Sequence, residues 1–178
     1  MSDFGVCYRG GERALKGETL FRATDGHLQF KYAPVSALFF AGFALLPFEA
    51  AKALWFVLSL VFLFGVVRMG LNALPPSPVR RGLIGALGFL VMAKFLAREL
   101  ELGQVNLLIL FLLALMTKAL AGGRQIPAGI AAGASLFFKP YALIFLPYLL
   151  VKRKWKALAT TVITAVAGFA LPIIAYGP

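Results

Sequence analysis

The chain has 178 residues, 61% of them hydrophobic, with a mean hydropathy of +0.86 and a formal net charge of +11. A water-soluble domain of this size is about half apolar, so no soluble core would hide the excess, and the chain reads as an integral membrane protein. The basic residues stand singly or in short clusters between apolar runs, where membrane flanks belong, which argues against nucleic acid as a partner.

Residues 1–31 are polar and mixed in charge. Their opening, "MSDFGVCYRGGERALKGE", has no apolar core of a signal peptide. Within it, "YRGGERALKGE" predicts a short surface helix starting near Glu12, and "TDGHLQF" a turn into an extended piece. His27 reads as a loop residue. Cys7 is the only cysteine, so it has no intrachain disulfide partner and reads as a small apolar residue. No Cys/His cluster of zinc spacing occurs, and Glu99 and Glu101, two apart, diverge on a helix. A metal site is therefore not expected.

From residue 32 the chain becomes apolar. Charge-free windows cover 32–48, 53–67, 82–93, 102–117, 125–138, 140–151 and 157–178. A helix crossing the hydrocarbon needs about 20 residues, so several of these must recruit flanking charged residues that snorkel to the interface. The windows 125–138 and 140–151 give only about 20 Å of helix each. They predict two half-depth helices meeting at Lys139–Pro140, because Pro140 cannot continue the helix before it. Such a break is tolerated where it lines a cavity or is buried in protein. The small residues of "AGIAAGAS" allow close helix approach and are not a nucleotide loop, since no strand–glycine-loop–helix unit surrounds them. The fold class is thus all-α: a polytopic transmembrane helix bundle with short broken or re-entrant helices.

Charge orients these segments. The turns "RMGLNALPPSPVRRG", "AGGRQ" and "VKRKWK" are basic and free of acids, which places all three in the cytoplasm. The intervening turns, "RELELGQVN" and "FKPY", then lie together on the outer face. Residues 1–31 remain ambiguous. They are cytoplasmic if 32–48 crosses fully and external if it is re-entrant. Five bases against four acids in that segment do not decide, although the external placement gathers all seven acids on one face.

Three stretches resemble glycosyltransferase family 87, a family of the GT-C superfamily that includes polyprenol-phosphate-mannose-dependent mannosyltransferases. They are "DFGVCYRGGERALKGETLFRATDGHLQFKYAPVSALFFAGFALLP", then "LGQVNLL", then "AGIAAGASLFFKPYALIFLPYLLVKRKW". The family pattern is D-F with a following Tyr, Y-P-P opening an apolar run that ends in L-P, G-Q-x-N opening a helix, and small residues leading to K-P. Here it falls on Asp3-Phe4, Tyr8, Tyr32-Ala33-Pro34, Gly103-Gln104-Val105-Asn106 and Lys139-Pro140. Cys7 and Ala33 depart from it. Relative to the family both ends read as cut, and the isolated chain is expected to be inactive or weak.

The resemblance implies a GT-C-like bundle in the plasma membrane. Residues 1–31 would be an extracytoplasmic loop with an interfacial helix, and 32–178 a partial GT-C transmembrane region. It implies transfer of a sugar, with mannose expected, from a polyprenyl-phosphate carrier to a hydroxyl of a glycolipid or polysaccharide acceptor, with inversion and no cofactor besides the lipid-linked donor. Asp3 would be the catalytic base; read alone it is a solvated carboxylate near the terminus. Lys139 would face the donor phosphate, because a charge at membrane depth is costly and usually functional; its alternative is snorkelling. Gln104, Asn106, Arg98 and Tyr32 complete the expected donor-phosphate or sugar-binding set. Gln104 and Asn106 read equally well as interhelical hydrogen-bonding residues, and Arg98, with Lys94, as partners of Glu101. A transporter or channel fragment with polar residues along a pathway is the competing class.

Overall fold

The computed structural model describes residues 2–74 and 77–176. Pro75 and Pro76 of the first basic turn, and the last two residues of the window 157–178, lie outside the described residues. Eight α-helices appear among the described residues, and no strand: α1 Ser2–Lys16, α2 Pro34–Ala44, α3 Phe48–Asn72, α4 Pro78–Leu102, α5 Asn106–Ala121, α6 Gln125–Ser135, α7 Phe145–Val151 and α8 Trp155–Tyr176. Two 3₁₀ segments, Ala23–Leu28 and Pro140–Ile144, precede α2 and α7.

The helices α3 and α8 are each long and apolar enough to cross a membrane, and α4 and α5 pass that test together. These two meet at a bend of 118°. The break is built by Gly103, whose left-handed backbone (φ 68°) caps α4 and directs its N–H onto the Glu99 carbonyl at 2.9 Å. Glycine takes that conformation without steric cost, which makes it the usual residue just past a helix end. Pro34 and Pro78 open α2 and α4 in the first turn, where the missing N–H costs nothing.

Two contacts set the packing. On α6, a Cβ at Gly129 would meet the Ala157 carbonyl at 2.5 Å, and one at Gly133 would meet Thr164 at 2.6 Å. The small-residue stripe is therefore the face on which α8 lies, the close helix approach that its composition predicted. On α1, Phe4 is fully buried and stacks on Trp55 of α3 with ring centroids 5.9 Å apart, and Phe40 of α2 meets the same indole edge-on at 5.2 Å. The Tyr8 hydroxyl donates to the Leu46 carbonyl at 2.8 Å.

The N-terminal segment thus differs from the short surface helix expected near Glu12. Its helix begins ten residues earlier and buries Phe4, Cys7, Tyr8 and Ala14. Gly10 and Gly11, inside this helix, are packing residues. A Cβ at Gly11 would stand 2.4 Å from the Phe40 carbonyl oxygen, so glycine is what lets α2 lie against α1. The turn over 23–28 is as expected, with Gly26 at φ 57°. Arg13 clamps it through both Asp25 oxygens, at 2.6 and 2.8 Å.

Charge is sorted along the bundle. One groove of about 550 Å³ joins Asn72 and Ala73, at the end of α3, to Lys118 and Ala121, at the end of α5. A second joins Ala121 to Tyr148 and Lys154. The three basic turns therefore share one end, as charge and parity predicted. The other end carries α1, the start of α3 with Glu49, and the end of α4 with Glu99 and Glu101. With only eleven residues, α2 is about 16 Å long, too short to cross, and α1 joins the end that holds Gln104 and Lys139.

Two outcomes follow. Replacing Gly11 by Ala forces α1 and α2 apart and lowers the stability of the purified chain by about 1–3 kcal/mol, read as a lower thermal midpoint in detergent. Arg13 holds the Asp25 carboxyl below its ordinary pKa, chiefly through their hydrogen bond. The contribution of this clamp is complete above the unfolded carboxylate value and is lost as pH falls through the folded one. Hydrogen exchange over residues 20–28 should accelerate below about pH 4, and Arg13→Gln should produce the same acceleration at neutral pH.

Candidate active site

Four elements converge at the end opposite the basic turns. The first is the α4–α5 break. Trp55 of α3, fully buried, donates its indole N–H to the Gly103 carbonyl at 3.0 Å and holds this turn against the core. Beyond it, Asn106 opens α5 with its side chain directed back along the turn. Its amide nitrogen donates to Glu99 Oε1 at 2.8 Å and to Gln104 Oε1 at 2.5 Å.

The second element is the α6–α7 break. Lys139 is extended (φ −148°, ψ 148°), between the end of α6 and the 3₁₀ turn that Pro140 opens. Its Nζ donates to Asn106 Oδ1 at 2.7 Å and lies 5.6 Å from the Tyr141 ring centroid, a cation–π contact. The two polar features of the sequence, 33 residues apart, are thus one hydrogen-bonded unit.

Third and fourth come α1 and the approach to α2. Asp3 and Tyr32 line one cleft of about 130 Å³ together with Val6, His27, Leu28, Gln29 and Lys31. Asp3 sits in the first turn of α1, where the helix dipole favours an anion, and accepts a hydrogen bond from Ser2 Oγ at 3.1 Å. Cys7, one turn further on, is buried under the influence of both Asp3 and Lys139 and interacts with the Tyr32 side chain. Burial, reinforced by Asp3, pushes its thiol well above the ordinary range, so it stays protonated and packs as the small apolar group its sequence context suggested. Tyr32 is likewise pushed up, first by burial and then by Cys7, Asp3 and Glu99.

Asp3, Tyr32, Gln104, Asn106 and Lys139 therefore gather at one end of the bundle. Arg98 does not join them. Its guanidinium pairs with Glu101 at 3.3 Å, with the two side chains 65% and 68% exposed, so it belongs to the outer flank of α4. Sequence reasoning missed Glu99, which it weighed only as a metal ligand. The available signal was its spacing: seven residues separate it from Asn106 across a glycine turn that folds the chain back. It also missed Trp55, whose indole N–H in the midst of an apolar window needed an acceptor. Among the described residues no three His, Cys, Asp or Glu side chains gather as a metal-binding group.

A helical membrane bundle with a polar, cation-bearing layer at one end is the class this architecture defines. A profile of glycosyltransferase family 87 matches residues 30–178, and the chain belongs to that family. Asp3 lies before the matched region. Over 176 aligned residues the chain is 29% identical to a polyprenol-phosphate-mannose-dependent alpha-(1-2)-phosphatidylinositol mannoside mannosyltransferase of Mycobacterium tuberculosis, covering 90% of this chain and 40% of the relative. It is 27% identical over 193 residues to the protein of the same name from Mycolicibacterium smegmatis, covering 95% of this chain and 43% of the relative. The chain thus spans about two-fifths of the length of these relatives. No solved structure matches it.

The Trp55 contact gives a test of the site's scaffold. Trp55→Phe keeps the aromatic packing and leaves the Gly103 carbonyl without its buried donor, a loss of about 1–3 kcal/mol. Thermal unfolding in detergent should register it, with faster hydrogen exchange confined to residues 103–108.

Proposed function

We propose that the chain forms part of a membrane glycosyltransferase that moves mannose from a polyprenyl-phosphate donor to an acceptor hydroxyl on the outer face of the plasma membrane. The observation that carries this reading is the Lys139–Asn106 contact at 2.7 Å, which unites the two family-like motifs beside Asp3 and Tyr32. The relatives' names supply the donor class, and a phosphatidylinositol mannoside as the kind of acceptor.

In this reading the acceptor oxygen attacks the anomeric carbon as the bond from that carbon to the phosphate oxygen breaks. The attack comes from the face opposite the phosphate, so configuration inverts. The Asp3 carboxylate takes the acceptor proton, a task one positioned carboxylate suffices for. The electron pair of the breaking bond stays with the polyprenyl phosphate, whose negative charge grows. The Lys139 ammonium stabilises that charge, and it does so more strongly for lying in a partly desolvated layer. Asn106 accepts from the ammonium and holds it in place, Gln104 braces Asn106, and the Gln104 amide nitrogen is left to donate to sugar hydroxyls. Tyr32, half-buried beside Asp3, forms a wall of the acceptor cleft. The external placement of this end agrees with the basic turns lying at the other.

The test is photocrosslinking of a diazirine-bearing polyprenyl-phosphate mannose to the chain in nanodiscs. Labelling is expected in the peptides that hold Asn106 and Lys139, competed by polyprenyl phosphate and not by polyprenol, and reduced about tenfold or more by Lys139→Met. Labelling indifferent to the phosphate and to Lys139 overturns the reading. For the base, Asp3→Asn should leave labelling intact and lower mannose transfer in the enzyme that carries this region by about 10²–10⁴-fold; unchanged transfer removes Asp3 from that role.

A further inference from the structure

Glu99 is a carboxylate in contact with Asn106 that the proposed reaction does not use. Its backbone carbonyl accepts from the N–H groups of both Gly103 and Gln104, at 2.9 and 3.2 Å, which fixes the residue at the root of the α4–α5 break. One side-chain oxygen, Oε1, accepts from Asn106. The other, Oε2, is buried with no hydrogen-bond partner among the described residues. A buried carboxylate oxygen left unpartnered is expensive, so fold stability alone does not account for this residue.

Its position relative to Lys139 supplies an account. The Asn106 amide is held between a carboxylate on its nitrogen side and an ammonium on its oxygen side. Turned over, the amide would set its oxygen against the Glu99 carboxylate and its NH2 against the Lys139 ammonium, two repulsive contacts in place of two attractive ones. The negative charge of Glu99 thus selects the amide orientation that presents Oδ1 to Lys139. Gln104 reinforces the same orientation, because its Oε1 accepts the second amide hydrogen. Glu99 and Lys139 form no direct ion pair. The amide between them aims the ammonium without neutralising it by contact, which leaves its remaining N–H groups for another anion.

We propose that Glu99 is a positioning residue: acting through Asn106, it orients Lys139 for a phosphate-bearing lipid. The proposal rests on the reading of Lys139 as the cation that meets the donor phosphate.

The experiment measures the preference of the chain in nanodiscs for polyprenyl phosphate over polyprenol, as competition for the photocrosslink. Glu99→Gln removes the charge that selects the amide orientation and is expected to lower this preference about tenfold, while binding of polyprenol stays the same. Glu99→Asp, which keeps the charge, should retain more of the preference than the Gln variant. Asn106→Ala cuts the same link from its other side and serves if Glu99→Gln does not fold. The deciding comparison is a double-mutant cycle, because residues acting through one another are non-additive. In a Lys139→Met background, Glu99→Gln should have no further effect on phosphate preference. A full additional loss there means that Glu99 acts independently of Lys139 and overturns the proposal. If Lys139→Met lowers the preference and neither Glu99→Gln nor Asn106→Ala does, the positioning role alone falls. If Lys139→Met itself changes nothing, the donor-site reading and this proposal fall together.

Discussion

An ammonium group between two apolar helical segments must find oxygen partners, because hydrocarbon offers none and an isolated charge there is costly. Much of the architecture at the acidic end is organised around that requirement. Lys139 can reach Asn106 only if α5 begins at the level where α6 stops, and α5 begins there because Gly103 turns the chain 118° after α4. The turn holds its place because the Trp55 indole takes the Gly103 carbonyl. Trp55 in turn is fixed by Phe4 and Phe40. A chain of contacts thus runs from α1 through α2, α3 and the α4–α5 turn to the lysine between α6 and α7.

Much of this was legible in the sequence because the signals are coarse and physical. Acid-free basic turns fixed which ends belong together, and that alone brought Gln104, Asn106 and Lys139 to a common end. Pro140 marked the break between two short helices, and the stripe of small residues marked a close helix contact, though not that α8 makes it. What stayed hidden depends on tertiary partners. The helix expected near Glu12 begins at Ser2, through Gly10 and Gly11, although glycine is a poor helix former, and only the close approach of Phe30 and Phe40 explains why a helix holds them. The ambiguity of residues 1–31 had the same source: their charge is nearly balanced, and α2 is apolar enough to cross but too short.

The candidate site shows the same division. Residues with costly polar groups in apolar surroundings, Lys139 and Asn106 above all, stood out by composition. Arg98 stood out too, although its pairing with Glu101 keeps it on the surface; an i, i+3 partner of opposite charge was the sign that it is satisfied locally. Glu99 did not stand out, since a glutamate at the polar end of a helix is ordinary. Its contact with Asn106 follows from a bend that returns Asn106 to it, a relation that helical periodicity within either segment does not express.

The lengths of the helices carry one more consequence. Trp55 stands seven residues into α3, so the turn it holds lies about 10 Å below the start of that helix. The return from Lys139 to the basic turn is short as well: five 3₁₀ residues at about 2.0 Å and seven α-helical ones at about 1.5 Å span about 20 Å. The α4–α5 turn, and with it the amide partner of the lysine, therefore meets α3 about two helical turns in from its amino end. A break anchored there cannot slide along α3 without losing the indole hydrogen bond, so the position of one tryptophan sets the register of the whole polar layer.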